Sequence, residues 1–368
     1  MEIGIMGLPN VGKSTIFSLL TKISVPIENF PFTTIEPNLG IVEVPDENLD
    51  LLCSIFNPKK KTYATIKFVD TAGLIKGASK GEGLGNKFLA SIREVDAVVQ
   101  VLRFFQDGTV SNTINKINPL DEINIIFLEL ALADLEVLQN YKNKVLPKAR
   151  LKDKISSERL NIVEEVINIV NSATSMYEIK SFLNNIKTQD KEIISLFKQM
   201  LTNKDIIYLL NYDENTPRQE IEKIKIQIEN ETRQKVLSLC GKFELNLYTF
   251  PYEEQKVLRE EYKIPEDELK NFIIESKKIL HLITFYTTVG EEFRSWLIKE
   301  NSNILEAAGK IHTDIKEGFI NAEVYNIKDF KNYKDIKILH QHGLIKIQGK
   351  DYIVEDGDVI KINFKNKT

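Results

Sequence analysis

Short apolar runs separated by helical patterns fill the first part of the chain and return after a long interruption. The runs, each of a length suited to a buried strand, are Met1–Met6, Ile41–Val44, Ile66–Val69, Ala97–Leu102, Ile206–Leu210 and Val236–Leu239. Mostly apolar strands that alternate with helices are typical of a parallel sheet covered on both faces. The pattern therefore predicts an α/β fold with a doubly wound, mostly parallel sheet.

An almost wholly helical pattern occupies the interruption, from about Asp121 to Asn203. Apolar residues at helical spacing form one arm before Pro147 and another after it, namely Ile123, Ile126, Phe127, Leu130, Val137, Leu138 and Tyr141, then Leu160, Val163, Ile167 and Val170. Two such arms predict an antiparallel helical hairpin that projects from the sheet domain. The basic turn between them is suited to contacts with phosphate groups and equally to simple solvation. Its basic residues are Lys148, Arg150, Lys152 and Lys154.

A second globular unit is expected from about Leu282 onwards. It contains short strand patterns and one helix near residues 303–310. The closing stretch 352–360 contains Asp356-Gly357, a dipeptide typical of a turn between two strands. This part of the chain is long enough for a small α+β domain.

The composition of the 368 residues narrows the range of functions. Hydrophobic residues make up 42% and charged residues 28%, as in ordinary globular proteins, and no apolar run reaches membrane-spanning length. The formal net charge of -4 means that any contact with nucleic acid needs a local basic patch. Two cysteines cannot build a disulfide framework, and the first strand leaves no room for a signal peptide. We therefore expect a cytoplasmic protein.

The stretch after the first strand carries the strongest chemical signal. Residues 7–15 read Gly-Leu-Pro-Asn-Val-Gly-Lys-Ser-Thr, so G-x-x-x-x-G-K-S lies between a strand and a helix and forms a P-loop. Backbone N–H groups and the positive end of the helix dipole bind nucleotide phosphates in such a loop. The predicted nucleotide-binding residues are Asn10, Val11, Gly12, Lys13, Ser14 and Thr15. Lys13 would act in catalysis by bridging the β- and γ-phosphates, and the Ser14 hydroxyl would hold Mg²⁺.

Two further elements follow the P-loop in the order used by nucleotide-dependent switches. Thr34 lies in a loop rich in proline and polar residues, where its hydroxyl would reach Mg²⁺ only when the γ-phosphate is bound. Asp70 ends a strand and begins D-x-x-G, so its carboxylate would hold Mg²⁺ and the Gly73 N–H would contact the γ-phosphate. We therefore assign Thr34 and Gly73, with Lys13, to catalysis, and Ser14, Thr34 and Asp70 to the metal.

The usual groups that activate water are missing from this region of the sequence. The residue after Gly73 is Leu74, whereas switches of the Ras type carry a glutamine there that orients the attacking water. All four histidines lie beyond residue 280, so none substitutes near the P-loop. Hydrolysis must then depend on backbone groups, Mg²⁺ and an extra cation, and we expect slow intrinsic turnover. Asn10 is a candidate ligand for K⁺ and is equally suited to a hydrogen bond within the loop.

The base-reading element departs from the guanine-specific sequence Asn-Lys-x-Asp. Residues 211–214 are Asn-Tyr-Asp-Glu, so Tyr212 replaces the lysine that packs over the ring and Glu214 replaces the aspartate that accepts from guanine N1 and N2. A carboxylate displaced by one methylene leaves polar groups imperfectly paired, at a cost of about 1–3 kcal/mol. We therefore predict adenine, bound at Asn211, Tyr212 and Glu214 and at Cys240-Gly241, mainly by backbone groups. A local shift that brings Asp213 to the base would instead favour GTP.

Several motifs, taken in order, match one known family. They are residues 7–14, 29–38 (Asn-Phe-Pro-Phe-x-Thr-Ile-Glu-Pro-Asn), 70–89 (Asp-x-Ala-Gly-Leu and the glycine-rich run after it), 129–134 (Glu-Leu-Ala-Leu-Ala-Asp), 311–314 (Ile-His-Thr-Asp) and 316–324. They closely resemble the Obg-like ATPase (YchF) family, and the resemblance covers essentially the whole chain. Some bacterial members carry a histidine in the loop after the strand 98–102. Here the loop 106–118 has none, so no catalytic role transfers to it.

The resemblance implies a three-part architecture. Residues 1–120 and 204–281 would form a G domain of the OBG type, residues 121–203 an inserted helical coiled-coil domain, and residues 282–366 a TGS domain of the β-grasp type. It also implies hydrolysis of ATP in preference to GTP and association with the ribosome, through its large subunit or the whole particle, with ribosomal RNA as a candidate contact. Two other functions stay open, a GTP-dependent translation factor and a nucleotide-gated ribosome- or RNA-binding module with negligible turnover. The sequence indicates no membrane partner and does not determine the oligomeric state.

Overall fold

A computed structural model describes residues 1–24, 38–71, 83–105 and 118–365 of the chain. The chain forms two compact units, the first made of Met1–Ile41 and Lys67–Phe272 and the second of Val42–Ile66 and Ile273–Thr368. Within the described ranges, no helix is both long enough and apolar enough to span a bilayer.

The strands and helices follow one another along the whole described chain. The strands are β1 (Glu2–Met6), β2 (Leu39–Glu43), β3 (Lys60–Thr62), β4 (Thr65–Asp70), β5 (Ala97–Phe104), β6 (Asp205–Tyr212), β7 (Val236–Leu239), β8 (Leu282–Thr287), β9 (Glu292–Lys299), β10 (Phe319–Asn326), β11 (Lys346–Gln348) and β12 (Asp358–Phe364). The helices are α1 (Lys13–Lys22), α2 (Glu47–Phe56), α3 (Gly83–Glu94), α4 (Pro119–Arg150), α5 (Lys154–Ser172), α6 (Met176–Asn185), α7 (Lys191–Gln199), α8 (Arg218–Thr232), α9 (Gly241–Leu247), α10 (Tyr252–Tyr262), α11 (Glu268–Ile279), α12 (Ile304–Ile311), α13 (Thr313–Glu317), α14 (Ile327–Tyr333) and α15 (Ile336–Gln341).

The first sheet has the strand order β2-β4-β1-β5-β6-β7. Parallel pairing joins β4 to β1, β1 to β5, β5 to β6 and β6 to β7, which confirms the predicted doubly wound α/β fold. Strands β5 and β6 are buried along almost their whole length, as expected for strands inside a parallel sheet. Because the carboxyl ends of parallel strands lie along one edge, the last residues of β1, β4, β5, β6 and β7 are found there.

The helical segment of the first unit forms the predicted hairpin of two long helices. Helices α4 and α5 pack against each other, but α4 continues through Pro147 and ends at Arg150. The sequence pattern had suggested a break at the proline. Proline inside a helix removes one backbone donor and crowds the carbonyl group four residues earlier, at a cost of about 3 kcal/mol, yet α4 continues for three residues beyond it. The link between the two helices therefore consists of residues 151–153, so the basic turn 148–154 includes the end of α4 and the start of α5. Asp153 caps α5 by accepting the Ser156 N–H at 2.8 Å.

A buried carboxylate on α4 binds the last residues of the helical segment. Asp134 is 1% exposed and accepts the Leu201 N–H at 2.8 Å, the Thr202 N–H at 2.8 Å and the Thr202 hydroxyl at 2.7 Å. These donors belong to the short 3-10 helix Leu201–Asn203 that leads into β6. Asp134 thus fixes the return of the chain from the helices to the sheet.

A second buried carboxylate connects the beginning of α4 to the end of β5. Glu122 is 8% exposed, and its Oε2 accepts the Arg103 N–H at 3.0 Å. Burial raises the pKa of Glu122 from its ordinary 4.5 to about 7, although the Arg103 N–H and the Arg103 guanidinium oppose the rise. This carboxyl group therefore changes charge near neutral pH.

The second unit contains a mixed sheet with the order β11-β10-β12-β8-β9-β3. Strand β10 is antiparallel to β11 and β12, and β8 is antiparallel to β9, whereas β12 and β8 are parallel, as are β3 and β9. Helix α12 contributes Ile304, Ala307 and Ala308 to a buried core that also contains Phe285 and Ile360. The unit is therefore α+β, and its assignment to the β-grasp type stays a prediction.

Two features of this unit differ from the sequence analysis. Residues 42–66, which the resemblance places in the G domain, lie in the second unit because β3 pairs with β9. The Asp356-Gly357 turn precedes β12, but Ile353 before it forms only an isolated bridge with Asn303. The turn binds β8 instead, since Asp356 Oδ1 accepts the Thr284 N–H at 2.7 Å.

Replacement of Asp134 by alanine should destabilise the first unit, because three buried donors lose their common acceptor. Loss of such hydrogen bonds to a buried carboxylate costs on the order of 2–4 kcal/mol. The urea midpoint measured by far-UV circular dichroism should fall accordingly, and Asp134→Asn, which keeps one acceptor oxygen, should lose less. An unchanged midpoint for Asp134→Ala would contradict the assigned role.

Replacement of Glu122 by glutamine should remove a pH dependence of stability. The folded-state pKa of about 7 lies above the ordinary 4.5, so the folded chain holds this proton more tightly than the unfolded chain. Stability should therefore be full below about pH 4.5 and fall as the pH rises to about 7. Relative to the variant, the wild type should lose about 1–3 kcal/mol between those limits.

Thermal denaturation at several pH values tests this expectation. The exposed Glu136 lies on the same helix, and Glu136→Gln is the matched control that should follow the wild-type curve. Parallel curves for the wild type and Glu122→Gln would show that Glu122 does not titrate in this range.

Candidate functional site

The P-loop joins the end of β1 to the start of α1. Gly12 precedes α1 with a left-handed φ of 89°, and a Cβ there would lie 2.0 Å from Asn211 Nδ2. A Cβ on Gly7 would lie 2.8 Å from Val11 Cγ2 and 2.9 Å from the Val101 carbonyl oxygen. Both positions therefore require glycine, and the loop presents the amino end of α1 to a phosphate group.

Lys13 begins α1, and its side chain reaches the end of β4. Its ammonium pairs with the Asp70 carboxylate and donates to the Thr71 carbonyl oxygen at 2.5 Å. Asp70 lies at this point because it is aligned with Ile5 in the register of β4 and β1. The fold thus brings together two of the residues that the sequence assigns to phosphate and metal chemistry.

The residues near Lys13 fit a Mg²⁺ ion that shares its ligands with a nucleotide. Ser14 is exposed at the start of α1, and Asp70 provides a carboxylate nearby. In the described part of the chain, no group of three or more His, Cys, Asp or Glu could hold an ion by itself. Because Mg²⁺ commonly takes one or two protein ligands and completes its shell with phosphate oxygens and water, this donor set is suitable.

Asn211 connects the P-loop to the segment between β7 and α9. Its Nδ2 donates to the Val11 carbonyl oxygen at 3.0 Å, and its Oδ1 accepts the Gly241 N–H at 3.2 Å. The side chain is 4% exposed, and both of its ends are satisfied by backbone groups. Asn211 therefore holds two of the predicted nucleotide-binding segments at a fixed separation.

Tyr212 points into the protein. It is 4% exposed, and its hydroxyl donates to Glu268 Oε2 at 2.8 Å. Arg218 also contacts Glu268, through a 2.6 Å bond from its guanidinium to Oε1. The position that carries a lysine over the base in guanine-specific proteins therefore holds a buried phenol here.

Glu214 and Cys240, two of the predicted base-binding residues, lie close enough to interact electrostatically. Glu214 is half-buried, whereas Cys240 is fully buried. Burial is the main cause of a strongly raised pKa of the Cys240 thiol, and the Glu214 carboxylate adds to the rise. The thiol therefore stays protonated near neutral pH.

A cavity of about 480 Å³ lies at the carboxyl ends of β5 and β6. Its lining residues are Phe104, Phe105, Asp213, Asn215, Thr216, Pro217 and Glu220. The Phe105 ring centroid lies 4.6 Å from Arg103 Cζ, and a Cβ on Gly12 would lie 3.7 Å from Phe105 Cε1. The cavity is thus next to the P-loop and has a volume within the range of small-molecule sites.

Sequence reasoning missed two residues of this region, Phe105 and Glu268. The aromatic pair directly after an apolar strand was a usable signal for Phe105, since residues at the carboxyl ends of parallel strands face ligands. No local signal marked Glu268, which meets Tyr212 from 56 positions further along the chain.

Several predicted site residues lie outside the described ranges. Thr34 falls within the undescribed residues 25–37, and Gly73 falls within 72–82. Leu74 and residues 106–117, to which no site role is assigned, also lie outside the described ranges. The roles assigned to Thr34 and Gly73 stay predictions. Asn10 is exposed with a φ of 66°, and Thr15 is half-buried on α1.

Comparison with known protein families gives matches in both parts of the chain. Residues 2–131 match a family described as 50S ribosome-binding GTPase (MMR_HSR1). Residues 282–365 match the family YchF-GTPase_C, described as protein of unknown function (DUF933).

Individual relatives match over the full length. Proteins named ribosome-binding ATPase YchF are 38% identical in Mycoplasma genitalium, over 99% of both chains, and 38% identical in Escherichia coli O157:H7, over 98% of both chains. The solved structure of the Schizosaccharomyces pombe YchF GTPase is similar with a TM-score of 0.83 and 31% identity, covering 99% of this chain and 97% of that one. With this identity along its whole length and the P-loop geometry described above, the chain belongs to the YchF family.

Proposed function

We propose that this chain is an ATP-hydrolysing switch protein that prefers ATP to GTP and associates with the ribosome. The main supporting observation is that Lys13 and Asp70 meet at the P-loop, beside a base-reading segment in which Tyr212 is buried. The relatives in M. genitalium and E. coli are named ribosome-binding ATPases, whereas the S. pombe relative is named a GTPase. The base preference is therefore argued from the site itself.

Adenine is favoured because the site lacks the fixed aspartate that guanine needs. Guanine presents N–H donors at N1 and N2, and Glu214 stands half-buried near Cys240 where a guanine-specific protein carries the shorter aspartate. A carboxylate that cannot accept both donors leaves them unpaired, at a cost of about 1–3 kcal/mol. Backbone groups around Tyr212 and Gly241 would contact adenine, and Phe105 would provide an apolar wall.

The phosphate chemistry depends on an exchange of partners at Lys13. In the described structure its ammonium pairs with Asp70. When a triphosphate is bound, Lys13 would contact the β- and γ-phosphate oxygens, and Asp70 would be released to hold Mg²⁺ together with Ser14. Bound Mg²⁺ supplies neutralisation of phosphate charge, and Lys13 would stabilise the charge that develops during transfer.

Slow intrinsic turnover is proposed because no side chain is assigned to activate water. Leu74 stands where a glutamine would orient it, and Thr34 and Gly73 would contribute through Mg²⁺ and a backbone N–H. Asn10, at the exposed side of the P-loop, would help to bind K⁺, whose charge would then act near the phosphates.

The basic turn of the helical hairpin is proposed to contact ribosomal RNA. Lys148, Arg150, Lys152 and Lys154 are exposed, and Leu151 between them is 83% exposed. Several basic side chains on one turn can neutralise phosphates of a single RNA strand or helix. Ribosome association also gives a physical reason for the proposed cytoplasmic location.

The three-part division of the chain is proposed from its resemblance to the YchF family. Residues 1–120 and 204–281 would serve as the nucleotide-binding G domain, 121–203 as the coiled-coil domain and 282–366 as the TGS domain, with residues 42–66 of the first range lying in the second compact unit. Nucleotide binding would order the segments at Thr34 and Gly73 and so change how the protein holds its partner.

ATP should bind at least about tenfold more tightly than GTP, because guanine leaves its N1 and N2 donors imperfectly paired. Titration calorimetry with each nucleotide and Mg²⁺ measures the two dissociation constants. The double variant Tyr212→Lys with Glu214→Asp should move the preference toward GTP, and Asp213→Asn is the control for a shifted register. Tighter binding of GTP by the wild type would contradict the adenine proposal.

Charge reversal of the turn, as Lys148→Glu, Arg150→Glu and Lys152→Glu together, should weaken ribosome binding on the order of tenfold or more. Co-sedimentation with ribosomes at several salt concentrations measures the loss and a shallower salt dependence. The control reverses the exposed Lys187, Lys191 and Lys198, which changes the net charge equally at another site. Equal loss in both triple variants would mean that only net charge matters.

A further inference from the structure

The carboxylate of Glu268 is buried at the centre of a polar network in the first unit. It is 7% exposed and contacts three side chains. Oε2 accepts the Tyr212 hydroxyl at 2.8 Å, while Oε1 accepts from the Arg218 guanidinium at 2.6 Å and from the Ser238 hydroxyl at 3.1 Å. Arg218 also donates to the Tyr212 hydroxyl oxygen at 3.2 Å, which closes the network.

The three partners of Glu268 come from the elements that flank the base-reading segments. Tyr212 ends β6, Arg218 begins α8 and Ser238 lies in β7. The segment 213–217 is therefore held at both of its ends by one carboxylate. The same carboxylate holds β7 two positions before Cys240, which leads into α9.

The network also fixes the position of the Tyr212 ring. With its hydroxyl bonded to Glu268 and the Arg218 guanidinium 5.8 Å from its ring centroid, the phenol is held inside the protein. No side chain from position 212 can then lie over a purine. The base must be contacted by backbone groups and by residues of the cavity wall, such as Phe105.

Energetics favour a positioning role for this network over a purely stabilising one. A buried carboxylate is costly unless it is paired and hydrogen-bonded, and a buried ion pair typically contributes little net stability. Burial is the largest influence on the pKa of Glu268 and raises it, although Arg218, Tyr212 and Ser238 oppose the rise. The network has a defined geometry that an apolar cluster would not impose.

We infer that Glu268 is a positioning residue that sets the purine preference, by holding Tyr212 away from the base and fixing the segments after β6 and β7. It would act through Tyr212, Arg218 and Ser238 and would not touch the nucleotide. The inference rests on the proposed nucleotide function. It extends that function by assigning base specificity to a residue outside the base-reading motif.

The test compares Glu268→Gln with the wild-type full-length chain. Dissociation constants are measured by calorimetry for ATP, GTP and inorganic tripolyphosphate, each with Mg²⁺. We expect ATP binding to weaken about tenfold, GTP binding to change less than about twofold, and tripolyphosphate binding to stay the same, since only the base contacts move. The kcat at saturating ATP should stay within about twofold while KM rises.

Two further variants separate positioning from general stability. Tyr212→Phe removes a single hydroxyl from the network and should move the ATP-to-GTP ratio in the same direction, by about threefold. Asp134→Asn is the matched control, because it replaces another buried carboxylate in the same unit, one that binds the segment before β6 and so lies at the opposite end of that strand from Tyr212. It should lower stability without changing the ratio.

The outcomes distinguish the inference from the proposed function. A change in the ratio of ATP to GTP affinity in Glu268→Gln and Tyr212→Phe, with unchanged tripolyphosphate binding, supports the inference. Equal weakening of all three ligands, or no change in any, overturns it. A wild-type chain that prefers GTP overturns the adenine proposal alone, since the positioning role is judged by the shift in the ratio and not by its starting value.

Discussion

The nucleotide site depends on the buried amide of Asn211, which ties the P-loop to the segment before α9. Its two hydrogen bonds join the Val11 carbonyl oxygen and the Gly241 N–H, groups that lie 200 and 30 positions away along the chain. A buried backbone group without a partner costs about 1–3 kcal/mol, so the amide satisfies both groups and fixes their separation. The Cβ that Gly12 lacks would occupy the space taken by this amide, which makes glycine and asparagine complementary at this point.

Buried charged groups recur in the first unit, and each connects two different elements of it. Glu268 joins Arg218 and Tyr212, while Glu244 accepts two bonds from Arg259, at 2.6 and 2.8 Å, and so joins α9 to α10. Such pairs roughly offset their own desolvation, so their contribution to net stability is small. These pairs instead fix the relative positions of the elements they join, because a bidentate or multiply bonded carboxylate restricts the geometry of its partners.

The phosphate end of the site is electrostatically balanced in the described structure. Lys13 and Asp70 pair with each other. The sequence assigns Lys13 to the phosphates of the nucleotide and Asp70 to its Mg²⁺ ion. With the proposed roles, Mg²⁺-nucleotide would replace this ion pair by two others, Lys13 with the phosphates and Asp70 with the metal, so that neither group would lose an opposite charge. The base end would differ, because the proposed recognition there depends on neutral backbone groups and on the buried position of Tyr212.

The sequence by itself determined those features whose cause is local. The P-loop, the Asp70 strand end and the strand Val236–Leu239 follow from glycine spacing, apolar runs and phosphate chemistry, and the described structure contains each of them at the expected positions. The helical hairpin also follows from its periodicity, although α4 runs three residues past Pro147, where the sequence alone indicated a break.

Only the tertiary structure decided which distant residues meet. The pairing of β3 with β9, the capping of Leu201 and Thr202 by Asp134 and the meeting of Glu268 with Tyr212 join residues tens to hundreds of positions apart. Periodicity specifies which face of an element is buried but not which partner buries it, so these contacts depend on packing and strand register. The phosphate-binding motif was therefore encoded locally, whereas the surroundings of Tyr212, on which the proposed purine preference depends, arise from packing within the unit.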